Sequence, residues 1–212
     1  MAIFGVTPDV MKPAALVLNI LVAAIATVKF YRAGCFSWSM FWPFAIGSVP
    51  FAFIGGVISL PGYLYKPVVG VVLFYAAYRL LTPNSVPTNE QLKSVPIGWA
   101  LALGIGIGLL SGLTGVGGGI FLSPVLLFMR WAEARQTAGI SAPFILLNSI
   151  AGLSGHLFSI STLPNAIPVW AVAAIVGGYI GADYGSRRFG NLTIKRLLAT
   201  VLVVAGLKMF TS

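Results

Sequence analysis

Long apolar runs constrain this chain most, because each is about 18 to 22 residues, the length that crosses a bilayer core as a helix. Charged residues make up 8% of the 212 residues, against about 25% in a soluble domain. The runs also lack the alternation of apolar and polar residues that marks the strands of an outer-membrane barrel. The sequence therefore predicts an all-α, polytopic membrane protein.

The runs predict about seven transmembrane helices. We expect them at 13–30, 38–60, 64–81, 97–112, 141–159, 168–184 and 193–210. A polar stretch at 83–96, rich in proline, asparagine and serine, is the only long linker. It divides the chain into a first half, 1–82, and a second half, 97–212.

The segment 97–131 does not fit a single crossing. As one straight helix it would be about 52 Å long at 1.5 Å per residue. Four glycines fall within GVGGG (115–119), and each glycine weakens a helix interior by about 1 kcal/mol relative to alanine. We therefore expect a helical hairpin broken at 114–119. Broken helices at membrane depth are tolerated only where they line a cavity or are buried in protein.

The net charge of +9 does not indicate a nucleic-acid partner, because the basic residues sit mostly at the ends of apolar runs and no nucleic-acid motif is present. The single cysteine, Cys35, excludes an internal disulfide. One histidine, one cysteine and four scattered acids do not make a metal-ligand set, and we expect no cofactor. No catalytic set or Walker motif appears, so we expect neither an enzyme nor an ATP-driven pump.

The two halves align at an offset of about 129 residues. Leu18-Asn19 then matches Leu147-Asn148, and Lys66 matches Lys195. At the same offset Met1 falls on Arg130, so the first repeat, 1–82, lacks a copy of the Gly-rich broken element. The first repeat is therefore truncated relative to the second.

The distribution of charge predicts that the repeats are inverted. If 97–131 enters and leaves on the same side, only Lys12, Lys66 and Lys208 lie on one face. The other face then collects ten basic residues: Lys29, Arg32, Arg79, Lys93, Arg130, Arg135, Arg187, Arg188, Lys195 and Arg196. The positive-inside rule makes the richer face cytoplasmic and puts the C-terminus outside.

The segment GIGIGLLSGLTGVGGGIFLSPVLL (104–127) resembles the signature of the TauE/SafE family of sulfite-exporter-like anion permeases. Asn148 in the next helix, the pair Gly177-Gly178, and RAG (32–34), SVP (48–50) and GG (55–56) are also similar to that family. The resemblance implies a bacterial inner (plasma) membrane transporter of small, often sulfur-containing anions. Family members usually carry two Gly-rich broken helices, whereas this chain has only the second, at 106–119.

The break supplies the candidate binding site. Backbone N–H groups at the start of the second half-helix, together with the helix dipole, favour an anion. Hydroxyl and amide side chains nearby could donate further hydrogen bonds. The predicted substrate-binding residues are Ser111, Thr114, Gly115, Gly117, Gly118, Gly119, Asn148 and Asn19.

Structural roles compete with several of these assignments. Glycines at 104–108 are typical of close helix packing, and Asn19 and Asn148 could equally be interhelical hydrogen-bonding groups. His156 could couple transport to protons, although an interfacial or hydrogen-bonded role is the simpler interpretation. Asp183 has Arg187 one helical turn later, which favours a local ion pair.

The sequence thus predicts a secondary transporter of a small anion such as sulfite or an organosulfonate, acting by alternating access in the lipid bilayer. The alternative is a non-transporting membrane subunit that needs a partner chain to complete the site. The absent first copy of the broken element leaves a homodimer, a missing partner element, a shortened reading frame and a functional lone copy all open.

Overall fold

The computed structural model describes residues 8–58, 62–82, 93–156 and 167–211. These residues form eight helices and no strand: α1 (Pro8–Arg32), α2 (Trp38–Val57), α3 (Gly62–Leu81), α4 (Ile97–Thr114), α5 (Gly119–Phe128), α6 (Ala134–His156), α7 (Ile167–Arg187) and α8 (Asn191–Thr211). The predicted all-α class is confirmed.

Five of these helices are long and apolar enough to cross a membrane: α1, α2, α4, α6 and α7. Among the described residues, α5 and the stretch Val69–Leu81 of α3 are shorter apolar helices. The chain is therefore a multi-pass membrane protein. The count of about seven crossings stays a prediction.

Several predicted boundaries differ from the structure, among them the start of α1, which lies at Pro8 rather than at 13. Helix α6 begins at Ala134 rather than at 141, so the polar residues 135–137 belong to its first turns. Helix α2 ends at Val57 with Ile58 as its extended cap residue, and 59–60 of the predicted span lie outside the described residues. Most of the predicted linker, 83–92, and the end of the fifth predicted span, 157–159, lie outside them too.

Helices α2 and α4 pack with their backbones in contact. A Cβ atom built at Gly104 would lie 2.6 Å from the carbonyl oxygen of Phe44, and one at Gly108 would meet the carbonyl oxygen of Ser48. Only glycine permits this approach, which is how small residues join helices in membranes. Gly104 and Gly108 thus let α4 pack closely on α2, whereas a Cβ atom at Gly106 would meet nothing within 4 Å.

Helices α4 and α5 form a hairpin that enters and leaves at one end. The backbone N–H of Lys93, just before α4, donates to the carbonyl oxygen of Arg130, just after α5, at 2.9 Å. At the other end of the hairpin, Gly115 lies against Lys12 of α1. The segment 97–131 is therefore the broken hairpin that the glycines predict.

The contacts also fix how the long helices run. Cys35, just after α1, lies against Gly139 near the start of α6, so α1 and α6 are antiparallel. Helices α1 and α7 run parallel, as do α2 and α6, and α3 packs against α8. A buried apolar core joins α2, α3, α5, α6 and α8 through side chains that include Phe44, Leu73, Leu126, Phe144 and Leu202.

Candidate anion site at the tip of the broken hairpin

Three left-handed glycines form the tip of the hairpin. Gly115, which caps α4, has φ +72°, and Gly117 and Gly118 each have φ +78°. An L side chain in this conformation is strained by roughly 1–2 kcal/mol, so the sequence GVGGG (115–119) allows a turn that other residues would resist. The break lies within the predicted 114–119, because α4 ends at Thr114 and α5 begins at Gly119.

The N-terminus of α5 presents backbone donors. Gly118 is its N-cap residue and provides no side-chain cap. The N–H groups of Phe121 and Leu122 both donate to the carbonyl oxygen of Gly118, at 3.1 Å each. The N–H groups of Gly119 and Ile120 lie before the first hydrogen bonds within the helix, so they are available to donate to a bound anion.

Helix α5 is held by α6 from its first turn. The Ser123 hydroxyl donates to the Gly119 carbonyl oxygen at 2.8 Å and shares a 2.9 Å hydrogen bond with the Ser141 hydroxyl. The side chain of Ile145 lies where a Cβ atom of Gly119 would be. The position of the α5 N-terminus is thus set by packing rather than by the loop alone.

Two buried hydroxyls without hydrogen-bond partners lie beside the tip. The Ser149 Oγ would be 2.8 Å from a Cβ atom at Gly117, and the Ser111 Cβ would be 3.3 Å from one at Gly118. Both serines are fully buried, and neither Oγ has a partner. A buried polar group without a partner costs about 1–3 kcal/mol, so these hydroxyls need an explanation.

Asn148 lies one residue before Ser149 and is fully buried. Its Nδ2 donates to the Ser48 Oγ of α2 at 3.0 Å and to the Phe144 carbonyl oxygen at 2.9 Å. Because a carbonyl oxygen can only accept, these bonds fix the orientation of the amide. The Oδ1 is left buried without a partner, as an acceptor.

Asn19 of α1 also reaches the tip, where its Nδ2 would be 3.3 Å from a Cβ atom at Gly117. The structure therefore gathers Ser111, Gly117, Gly118 and Gly119 near Asn19. Asn148 is joined to this group through the neighbouring Ser149, whose Oγ lies beside Gly117.

Three predicted residues are engaged elsewhere. The Thr114 hydroxyl donates to its own helix, at the Leu110 carbonyl oxygen, at 2.7 Å. The Gly115 N–H donates to the Ser111 carbonyl oxygen at 2.9 Å. The His156 Nε2 lies 3.3 Å from the Gly112 carbonyl oxygen, so the ring links α6 to the end of α4.

Ser48 is the residue that sequence reasoning missed. It lies in SVP (48–50), but nothing in the sequence says that its hydroxyl meets Asn148, which is 100 residues away. Lys12, half-buried beside Gly115, is the cation that the described contacts place nearest the tip. Among the described residues no group of three or more His, Cys, Asp or Glu could hold a metal ion.

Comparison with known proteins identifies the family. The model of the sulfite exporter TauE/SafE family matches residues 1–209. The chain is 41% identical over 212 residues to the probable membrane transporter protein y4hK of Sinorhizobium fredii (strain NBRC 101917 / NGR234), covering 99% of this chain and 86% of that protein.

More distant relatives carry the same kind of name. The chain is 24% identical to the probable membrane transporter protein YjnA of Bacillus subtilis (strain 168), covering 98% of this chain and 87% of the relative. It is 25% identical to the probable membrane transporter protein MJ0441 of Methanocaldococcus jannaschii, covering 97% and 81%. No solved structure matches. The chain is a multi-pass membrane protein that belongs to the TauE/SafE sulfite exporter family.

Proposed function

We propose that this chain is a secondary transporter that carries a small sulfur-containing anion, such as sulfite or an organosulfonate, across a bacterial inner membrane. The observation that carries the proposal is the pair of buried hydroxyls without partners, Ser111 and Ser149, beside the N-terminus of α5. Hydroxyls and amide N–H groups donate hydrogen bonds, and an oxyanion accepts them. An anion at the tip would satisfy each of these groups.

The chemistry of Asn148 refines the expected substrate. Its Oδ1 is a buried acceptor, which would repel a fully deprotonated oxyanion but accept a hydrogen bond from one that retains a proton. Hydrogen sulfite retains such a proton and fits this mixture of donors and one acceptor, whereas an organosulfonate has no proton to donate, so Asn148 favours hydrogen sulfite within the proposed class. The net charge at the tip then stays small, which suits a site at membrane depth.

Alternating access would follow from two inverted repeats. Two features support inversion: the hairpin that closes on itself at Lys93 and Arg130, and the antiparallel pairing of α1 with α6. The α1–α7 and α2–α6 pairs are both parallel, as a pseudo-two-fold axis in the membrane plane would require. One half moving against the other would expose the tip to each side in turn.

The native cysteine tests the orientation. Cys35 lies between α1 and α2 at the end of the molecule that carries Lys29 and Arg32, which we take as cytoplasmic. Burial raises the pKa of its thiol, so labelling with a maleimide should be slow at neutral pH and faster in mild alkali. A membrane-impermeant maleimide should label Cys35 only from the cytoplasmic side, and labelling only from outside would invert the assignment.

Transport is tested by the flux of labelled sulfite into proteoliposomes, with sulfate, sulfoacetate and thiosulfate as competitors. Saturable flux of labelled sulfite that excess unlabelled sulfite reduces would support the proposal, and we expect sulfate, sulfoacetate and thiosulfate, which carry no proton at neutral pH, to compete less well. The absence of saturable flux from protein that is folded and reconstituted would overturn it.

A second candidate function is that of a membrane subunit whose site is completed by a partner. The observation in its favour is the exposure of α7, in which only 6% of the residues in the apolar stretch are buried. Mass measurement in mild detergent separates the candidates: a stable complex with a different chain favours the subunit, and an active single species or homodimer favours the transporter.

A further inference from the structure

A groove of about 640 Å³ lies between α1 and α7 and shares no lining residue with the tip of the hairpin. We call it the α1–α7 groove. Part of its lining is apolar and includes Ile25 and Val28. The rest is polar and includes three cations, Lys29, Arg32 and Arg187. Nothing in the proposed transport mechanism uses this groove.

The polar part of the groove carries an excess of positive charge. The Lys29 Nζ forms an ion pair with the Asp183 Oδ1 at 2.6 Å and lies 3.7 Å from the centre of the Tyr179 ring. Asp183 therefore pairs with Lys29 of α1, rather than with Arg187 as its spacing predicts. Among the described residues no carboxylate lies within salt-bridge distance of Arg32 or Arg187.

The apolar and the polar parts of the groove lie at different depths in the membrane. Ile25 and Val28 precede the charged end of α1, so they lie deeper than Arg32. Val28 is 49% exposed, which makes the apolar part of the lining continuous with the surface that faces lipid. The exposed guanidinium groups of Arg32 and Arg187 lie at the end where both helices leave the membrane.

We propose that the α1–α7 groove binds the phosphate group of an anionic phospholipid. Arg32 and Arg187 would hold the phosphate, because a guanidinium pairs with phosphate through two parallel hydrogen bonds. An acyl chain would lie along Ile25 and Val28. A free phosphate would use the same arginines but leave the apolar part of the groove empty.

Native mass spectrometry of the purified chain in neutral detergent tests the proposal. Dioleoyl phosphatidylglycerol, dioleoyl phosphatidylcholine and inorganic phosphate are titrated separately, and the retained adducts are counted. The variant R32Q/R187Q should lose about 25-fold in affinity for phosphatidylglycerol, at about fivefold per arginine. The control R188Q/R196Q removes the same charge outside the groove and should bind as the wild type does.

A second variant tests the contact of the acyl chain apart from that of the phosphate. Val28→Trp fills the apolar side at an exposed position and keeps every charge, so it should reduce retention of phosphatidylglycerol without unfolding the chain. Two results would overturn the proposal: equal retention of phosphatidylglycerol and phosphatidylcholine, or equal loss in R32Q/R187Q and its control. Inorganic phosphate that binds as tightly as phosphatidylglycerol would overturn the assignment to lipid.

Discussion

Helix α2 follows α1 as α7 follows α6, yet α2 and α7 differ in how much of each is covered. Half of the residues in the apolar stretch of α2 are buried, against 6% in α7. Both helices carry a Gly-Gly pair, Gly55-Gly56 and Gly177-Gly178. The difference in burial therefore comes from their neighbours rather than from their composition.

The glycine pairs show which neighbour makes the difference. The second glycine of each pair packs on the other half: Gly56 on Gly152 of α6, and Gly178 on Val22 of α1. The first glycines differ, since Gly55 packs on the backbone of α4, whereas nothing lies within 4 Å of a Cβ atom at Gly177. Helix α4, part of the broken hairpin in the second half, covers α2 and leaves α7 open.

The largest effect is expected from Gly55→Ala beside its matched control Gly177→Ala. A methyl group at Gly55 would meet the Leu109 carbonyl oxygen, so α2 and α4 would have to separate, at roughly 1–3 kcal/mol for such overpacking. The same change at Gly177 enters open space. Thermal unfolding in mild detergent should show a lower melting temperature for Gly55→Ala only. Equal losses would mean that a partner covers α7.

The next effect concerns the tip. Gly117→Ala combines a left-handed backbone with a Cβ atom 2.8 Å from the Ser149 Oγ. We expect loss of sulfite flux and destabilisation of about 1–2 kcal/mol. Gly181→Ala on α7, where a Cβ atom meets nothing within 4 Å, is the control. It should retain both the sulfite flux and the stability of the wild type. Normal flux from Gly117→Ala would show that the tip is not part of the transport path.

A smaller difference is expected between Asn19 and Asn148, two asparagines that the predicted repeat relates. Asn148→Ala breaks the hydrogen bond to Ser48 that joins α6 to α2, a bond worth about 0.6–2 kcal/mol in a membrane. Asn19 is half-buried on α1, where its amide lies beside Gly117. Asn19→Ala should lower the melting temperature less than Asn148→Ala does. The reverse order would show that the contact of Asn19 with the tip stabilises the fold more than the bond between α6 and α2.

The smallest effect is expected from the ion pair between Lys29 and Asp183. Water reaches both side chains, which are 17% and 31% exposed, so their attraction is screened. A double-mutant cycle with Lys29→Gln and Asp183→Asn should give a coupling that high salt weakens. A coupling that salt leaves unchanged would mean that α7 is covered at this end.

The sequence predicts the break well, because glycine acts locally. Four glycines in 115–119 are incompatible with a continuous helix, and α4 and α5 end and begin within the predicted 114–119. The start of α6 was predicted seven residues late, because the polar residues 135–137 lack the apolar pattern of a span. Their helix is stabilised by contacts made elsewhere, such as Gly139 against Cys35.

The partners of polar groups could not be predicted, because they depend on distant parts of the chain. Asp183 pairs with a lysine 154 residues away, and Asn148 bonds to a serine 100 residues away. The lack of a partner for Ser111 and Ser149 is likewise visible only in three dimensions. The sequence indicated residue types suited to an anion, and the structure adds how they are arranged.

The most direct test of the central claim compares two double variants in the sulfite flux assay. S111A/S149A removes the two buried hydroxyls beside the tip, whereas T114V/S154A removes hydroxyls that donate only to their own helices. The account predicts that S111A/S149A loses saturable flux while T114V/S154A transports as the wild type does. Equal flux from the two variants would contradict it.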